Sequence, residues 1–299
     1  MNGNKIIAIL PAFNEQRTIA EVILKAEKYV DEVVVVDDGS SDLTAEIAEK
    51  LGATVIRHKR NMGYGAALRS GFEYALKLNP KVVVTLDADG QHDPNDIQKL
   101  IKPILSEEAD IVIGSRFLHK IKRHEIPAYR EVGIKALTKL TKMSSKLRIT
   151  DAQSGFRAYS RKAMETITIV EDGMDASTEI LLKAAKEGLK IAEIPISIKY
   201  KGLKPFKHNP VLHAMDVAIG ILKFMSIRRP LLFFGLPGFA IVVFGLAYGY
   251  FLIQAYAMQA KPITNIALLS MAIVSLGILL IFMALILFAI TAVIKEKKL

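Results

Sequence analysis

The sequence predicts an α/β fold, a Rossmann-like open sheet with helices on both faces, joined to a C-terminal two-helix transmembrane hairpin. Three observations predict it. Strand and helix patterns alternate through the first half of the chain. The strand candidates are short, nearly continuous β-branched runs, as expected of a sheet covered on both faces. Two long stretches near the C-terminus, Leu231–Ala260 and Pro262–Ile294, carry no charge and are separated only by Lys261.

The elements follow in order. "KIIAIL" (Lys5–Leu10) reads as the first strand, followed by "PAFNEQRT" and an amphipathic helix to about Tyr29. "EVVVVD" (Glu32–Asp37) is a second strand and runs into "DGSSD". A helix from about Asp42 to Leu51 stops at Gly52, a residue suited to a helix end. "ATVIRH" is a third strand, and the loop "NMGYG" opens a helix to about Leu78. "KVVVTLD" and "ADIVIGS" are the fourth and fifth strands, and "KIAEIPISIKY" (Lys190–Tyr200) is the last. "DAQSGFRAYSR" (Asp151–Arg161) returns toward the sheet, and "DASTEILLKAAKEG" is a helix ended by Gly188. Such alternation implies right-handed crossovers, with ligands beyond the carboxyl ends of the strands. The polar clusters Pro11–Glu15, Asp37–Ser41, Asp87–Gln91 and Ser115–Arg116 all fall at those ends.

A bilayer span needs about 20 apolar residues, and both uncharged stretches qualify, with spans expected at about 231–256 and 265–294. Arg228 and Arg229 precede the first span and "IKEKKL" follows the second, so the positive-inside rule puts both termini in the cytoplasm. The expected organisation is a cytoplasmic α/β domain over 1–210, an interfacial amphipathic helix over 211–229 and the hairpin over 230–299. The N-terminus lacks the apolar core and cleavage site of a signal peptide. With no cysteine, disulfides and thiolate metal sites are excluded.

The net charge is +10, and the excess is concentrated. Between Arg116 and Arg148 only Glu125 and Glu131 oppose many Lys and Arg. Lys135, Lys139, Lys142 and Lys146 share one face of a predicted helix. Beside a membrane anchor that face suits anionic headgroups. A nucleic-acid partner is disfavoured, because no aromatics interleave with the bases.

The stretch "VVVTLDADGQHDP" ends a buried strand on two carboxylates, Asp87 and Asp89. A calcium loop is excluded by spacing: Gly90 comes too early and the twelfth residue from Asp87 is Gln98. An aspartyl-phosphate enzyme would place its D-x-D after the first strand, and this strand is the fourth. Asp89 or Asp93 could instead cap the helix starting near Pro94. The remaining chemistry is a divalent cation, Mg²⁺ or Mn²⁺, shared between carboxylates and a diphosphate. Gln91 is placed to add a carbonyl oxygen. Glu15, Asp37 and Asp38 can accept hydrogen bonds from a base or ribose. "GYGAALRSG" mimics a dinucleotide fingerprint but has Leu68 where the third glycine should stand, so Gly63 and Gly65 read as turn and close-packing residues.

The ordered set "PAFNE", "VVDDGSSD", "NMGYGAALRSGF", "LDADGQHDP", "IGSRF" and "DAQSGFRAYSR" resembles family 2 glycosyltransferases. More narrowly it resembles the branch with dolichol-phosphate mannosyltransferases and polyprenyl-phosphate glycosyltransferases, over about residues 5–210. The resemblance implies a GT-A fold and inverting transfer from a nucleotide sugar to polyprenyl or dolichyl phosphate. The two-helix anchor favours UDP-hexose or UDP-N-acetylhexosamine over GDP-mannose as donor. By matching motif, Pro11, Asn14, Glu15, Asp38 and Asp87 lie along the nucleotide, and Asp87, Asp89 and Gln91 serve the metal. Arg116 and Arg130 bind the lipid phosphate, Asp89 joins them as catalytic, and Gln153, Ser154 and Arg157 shape the acceptor side. Lys201, Lys204 and Lys207 match a basic loop near the phosphates, although "KGLKPFKHNP" lacks the family's serine. Glu179 is balanced between a cleft acid and a plain helix acid.

A lipid phosphate is already an anion, so this chemistry needs positioning and charge stabilisation, not a general base. A membrane scaffold that only binds nucleotide sugar or lipid phosphate is the alternative of another class. A processive polysaccharide synthase is the enzymatic one, disfavoured by the absence of Trp and by only two spans. Homo-oligomerisation is compatible with the sequence.

Overall fold

The computed structural model describes residues 5–118, 134–135, 138–139, 141–142, 147, 149–174, 176–198, 230–259 and 264–296. Arg130, Lys146, Lys201, Lys204, Lys207 and the expected interfacial helix lie outside them. The chain divides into two compact units, Met1–Pro210 and Val211–Leu299.

Among the described residues the first unit has seven strands: β1 Ile6–Ala12, β2 Glu32–Asp37, β3 Thr54–Arg57, β4 Val82–Thr85, β5 Ile111–Ser115, β6 Arg157–Ser160 and β7 Ile191–Pro195. Their order in the sheet is β3-β2-β1-β4-β6-β5-β7. The helices are α1 Ile19–Ala26, α2 Thr44–Lys50, α3 Tyr64–Lys77, α4 Ile97–Leu105, α5 Arg161–Thr166 and α6 Ala176–Lys186.

The continuous apolar runs are explained by two-sided burial. Successive side chains of β1 go to opposite cores: Ala8 and Leu10 pack with α1 and α4, Ile7 and Ile9 with α3, α5 and α6. β2, β4 and β5 divide in the same way, through Val35 and Val34, Val84 and Val83, Val112 and Ile113. With the side chains of these central strands sealed on both faces, their carboxyl ends are where a ligand can reach them.

One strand departs from the parallel expectation. β6 runs antiparallel between β4 and β5, pairing Ala158 with Val84 on one side and Val112 on the other. It escapes a periodicity reading because it is four residues long and opens on Arg157, a charge that is 1% exposed. Its position matters for function, because it brings the 149–156 loop beside the end of β4. The last strand is shorter than Lys190–Tyr200, with one isolated bridge from Ile198 to His92.

Within the basic stretch, Ile134, Thr138 and Thr141 are buried while Lys135, Lys139 and Lys142 are exposed. Thr138 Oγ1 accepts from the Ala152 N–H at 3.1 Å, fastening this helical segment to the 149–156 loop.

The second unit holds α7 Leu236–Gln259 and α8 Thr264–Glu296, with a π turn at Leu231–Gly235. Two segments, Leu231–Gln254 and Ala267–Thr291, are long and apolar enough to cross a membrane. Small residues let them meet closely. A Cβ on Gly238 would stand 2.9 Å from the Gly277 carbonyl oxygen, and one on Gly277 2.8 Å from that of Gly238. Ser270, Gly277 and Ala284 recur every seven residues along the contact, and Ser270 Oγ donates to the Gly245 carbonyl at 2.9 Å. A seven-residue repeat is the period of left-handed helix pairing.

Candidate active site

The carboxyl ends of β1, β2 and β4 are stitched together by short polar side chains. Asn14 follows β1 with φ 58°, a left-handed conformation that asparagine tolerates better than most residues. Its N–H donates to Ser40 Oγ at 2.9 Å and its Oδ1 accepts from the Ser41 N–H at 2.9 Å. The Glu15 N–H donates to Thr44 Oγ1 at 2.8 Å. Thr18 Oγ1 donates to the Ala88 carbonyl at 2.8 Å and stands 3.2 Å from Glu15 Oε2. Pro11 sits within β1, opposite Val36. Pro11, Asn14, Glu15, Asp38 and Asp87 therefore gather at one edge of the sheet.

Asp38 has an internal task. Its Oδ1 accepts from the Met62 N–H at 2.8 Å and lies 2.7 Å from His58 Nδ1; its Oδ2 accepts from the Gly63 N–H at 2.8 Å. The far nitrogen of His58 meets Ser70 Oγ at 2.9 Å. This carboxylate holds the loop between β3 and α3. The N-terminus of α3 is itself occupied, since the Asp172 carbonyl accepts from the Gly65 N–H at 2.7 Å. A Cβ on Gly65 would stand 2.0 Å from the Glu171 carbonyl oxygen, so close backbone approach, not phosphate binding, is what that glycine serves.

At the end of β4, Asp93 is the cap of the turn at Pro94–Asp96, accepting from the Asn95 N–H. Asp89 has a different partner: its Oδ1 accepts from the Gln91 N–H at 2.9 Å, in a turn that Gly90 permits with φ 74°. Asp87 Oδ2 is 3.7 Å from His92 Nδ1, and its side chain is 36% exposed. Its carboxylate lies over Gly155, where the Tyr64 hydroxyl also arrives. Burial, and then the Asp87 charge, hold the Tyr64 phenol well above its ordinary pKa of 10.0, so it remains a protonated donor.

The 149–156 loop is fixed by a buried ionic cluster. Arg116 grips Asp151 through two bonds, Nε to Oδ2 at 2.5 Å and Nη2 to Oδ1 at 2.6 Å. Glu193 accepts from the N–H groups of Thr150 and Asp151, and burial raises its pKa. Arg157 donates to the carbonyls of Ser177 and Ala152 at 2.9 and 2.8 Å. Ser154 is fully buried, and Gln153 Nε2 donates to Thr178 Oγ1 at 2.9 Å. Of the described residues expected on the acceptor side, Gln153 and Ser154 lie in this loop, Arg157 opens β6 directly after it and Arg116 follows β5, and they do not share one orientation. Arg157 and Ser154 face inward, and Arg116 has an internal partner. Arg157 departs from its expected place because its guanidinium is enclosed at the start of β6, 1% exposed, where its bonds to the Ala152 and Ser177 carbonyls support the loop. Glu179 is also internal: it accepts from the Val170 and Glu171 N–H groups and pairs with Lys183 at 2.8 Å.

Tyr64, Asp151 and Gly155 stood inside the quoted motifs without an assigned role, and Glu193 and His58 were not singled out. Each acts through a partner distant in sequence. Only the two glycines flanking Tyr64 hinted at a crowded backbone.

A family model, Glycosyl transferase family 2, matches residues 7–168. The chain belongs to glycosyl transferase family 2. An uncharacterised protein of Methanocaldococcus jannaschii is 42% identical over 67% of this chain and 84% of its own length. A UDP-N-acetylglucosamine–dolichyl-phosphate N-acetylglucosaminyltransferase of Methanococcus voltae is 33% identical, covering 67% and 88%. A dolichol-phosphate mannosyltransferase of Pyrococcus furiosus is 31% identical, covering 73% and 64%. Among solved structures, glucosyl-3-phosphoglycerate synthase of Mycobacterium tuberculosis, crystallised with Mn²⁺ and UDP, superposes with a TM-score of 0.59 at 23% identity, over 75% of this chain and 79% of that one. That likeness carries the GT-A fold.

The donor set at β4 fits a magnesium-like ion. Two carboxylates stand on alternate residues, and among the described residues no group of three or more acidic, His or Cys side chains forms a self-sufficient cage. Mg²⁺ and Mn²⁺ commonly take one or two protein carboxylates and complete their shell with phosphate and water.

Proposed function

We propose that this glycosyltransferase moves a sugar, with inversion, from a nucleotide-sugar donor to a polyprenyl or dolichyl phosphate at the membrane surface. The observation that carries the reading is the Asp87–Asp89 pair, at the open end of β4 and beside the loop expected to face the acceptor. The relatives' names support the acceptor class, and the M. voltae relative's name favours a UDP-linked donor. The two apolar segments fit a membrane protein, with both termini assigned to the cytoplasm by flanking charge.

Asp87 and Asp89 would hold Mg²⁺ or Mn²⁺ against the donor diphosphate, with Gln91 as a further oxygen donor. The ion, when bound, offsets the charge that develops on the departing nucleoside diphosphate. Pro11, Asn14 and Glu15 line the nucleoside side, and Asp38 shapes it by fixing the neighbouring loop. Arg130 orients the lipid phosphate, with Lys201, Lys204 and Lys207 assisting. Arg116 contributes charge from a clamped position while it fixes the 149–156 loop. The phosphate oxygen attacks without a base, so orientation is the protein's main contribution.

The test is transfer of labelled sugar from a panel of UDP- and GDP-sugars to polyprenyl phosphate in detergent, with EDTA as control. The expected result is an EDTA-sensitive lipid-linked product from a UDP-sugar. No product from any donor would defeat the reading in favour of a binding scaffold.

A further inference from the structure

We infer that Gly155 and Tyr64 are positioning residues for Asp87, and that the absence of a side chain at 155 keeps the Asp87 carboxylate in its metal-holding place. This rests on the metal reading of the Asp87–Asp89 pair.

Three observations converge. A Cβ built on Gly155 would stand 2.7 Å from Asp87 Oδ1, 3.0 Å from Asp87 Oδ2 and 2.9 Å from the Tyr64 hydroxyl. Both carboxylate oxygens and the phenol therefore meet over one bare Cα. Next, backbone conformation does not require glycine here. Among the described residues the left-handed glycines are Gly39, Gly52, Gly63, Gly90 and Gly188, and Gly155 is not one of them. Finally, the backbone at 155 cannot retreat. Thr85 Oγ1 donates to the Gly155 carbonyl at 2.8 Å, and the Gly114 N–H donates to the Phe156 carbonyl at 2.9 Å. Phe156 is fully buried and Arg157 is already in the β4–β6–β5 ladder.

An added methyl group would thus push first against its three nearest neighbours, the two carboxylate oxygens and the phenol, all of them side-chain ends. A side-chain end shifts cheaply where a paired strand does not. The fold tolerates alanine at 155, and the metal site does not. The Tyr64 hydroxyl closes the other side of the same space. Removing it gives a displaced Asp87 room to turn back.

The experiment is titration of Mn²⁺ by electron paramagnetic resonance, in the presence of UDP and separately of GDP, on the full chain in detergent micelles. Thermal unfolding is recorded in parallel. Gly155→Ala is expected to weaken Mn²⁺ binding about 10- to 100-fold, the range for lost support of a metal ligand, with an unchanged unfolding temperature. Gly155→Ala with Tyr64→Phe is expected to bind Mn²⁺ more tightly than Gly155→Ala alone, a coupling that independent structural damage does not produce. Wild-type affinity in Gly155→Ala would overturn the inference, and so would loss of its thermal transition, because glycine would then serve packing. A double variant no better than the single would remove Tyr64 from the arrangement. Absence of Mn²⁺ binding by the wild type with either nucleotide would overturn the metal reading, and this inference with it.

Discussion

At the end of β2 the Asp38 side chain is 7% exposed and accepts from two backbone N–H groups beside His58. At the end of β4 the Asp87 side chain is 36% exposed, and Asp89 is bound by the N–H of its own turn. Both sites read in sequence as acids following an apolar strand. A buried carboxylate must be satisfied by its own protein. One left partly in solvent can exchange water for a cation. Enclosure therefore separates these two strand-end acids, Asp38 at 7% exposed and Asp87 at 36%, and a run of acids in the sequence does not.

The sharpest way to break this comparison is Asp89→Ala. Transfer is expected to fall by at least ~10²-fold through lost metal support, with the unfolding temperature nearly unchanged. Activity is read as lipid-linked product. Near wild-type, metal-dependent turnover would place Asp89 with Asp38 among the structural acids.

Asp151, in the loop before β6, extends the comparison to a third acid. It is fully buried and paired with Arg116, whose side chain is 8% exposed. Removing one partner of a buried pair strands the other charge, so Asp151→Ala is expected to lose ~3–5 kcal/mol of stability. The measurement is thermal or denaturant unfolding in detergent, with activity followed below the transition. A stable Asp151→Ala protein with faster transfer would mean that the pair restrains Arg116 from the acceptor phosphate.

Asp38→Ala belongs at the next level. It orphans the Met62 and Gly63 N–H groups and the His58 ring, at ~1–3 kcal/mol. Activity should fall only as far as the loop between β3 and α3 loosens, seen as a raised donor KM. Loss of kcat at unchanged stability would instead make Asp38 a working acid.

Most of the sheet was legible because two-sided burial writes continuous apolar runs, as in "EVVVVD" and "KVVVTLD". The acidic edge was legible because strand ends are where such sheets open. β6 was not, because its four residues begin on a charge whose compensation comes from carbonyls at Ala152 and Ser177. The inward turn of Arg157, the Arg116–Asp151 clamp and the crowding over Gly155 were equally hidden. Each is a contact between residues that the sequence holds far apart, and residue type alone does not reveal who its partner is. The Asp93 cap shows the reverse case: an acid before "PND" was readable, and the structure assigns that cap to Asp93, leaving Asp89 to its own turn.

Glu179 offers the smallest and most specific test. Burial works to raise its pKa, but the bond to Lys183 and those from the Glu171 and Val170 N–H groups prevail, and the pKa is lowered from its ordinary 4.5. Through those N–H groups it fixes the segment whose Asp172 carbonyl caps α3 at Gly65. A carboxyl whose folded pKa lies below its unfolded value adds stability above the unfolded pKa, and that stability is lost as pH falls through the folded one. Glu179→Gln keeps the shape and removes the charge. At pH 7 it is expected to lose about 1 kcal/mol. Below the lowered pKa wild type is protonated too, so the two unfolding curves should converge. A gap that stays constant from neutral to acid pH would mean that packing, and not the charge, holds this segment against α3.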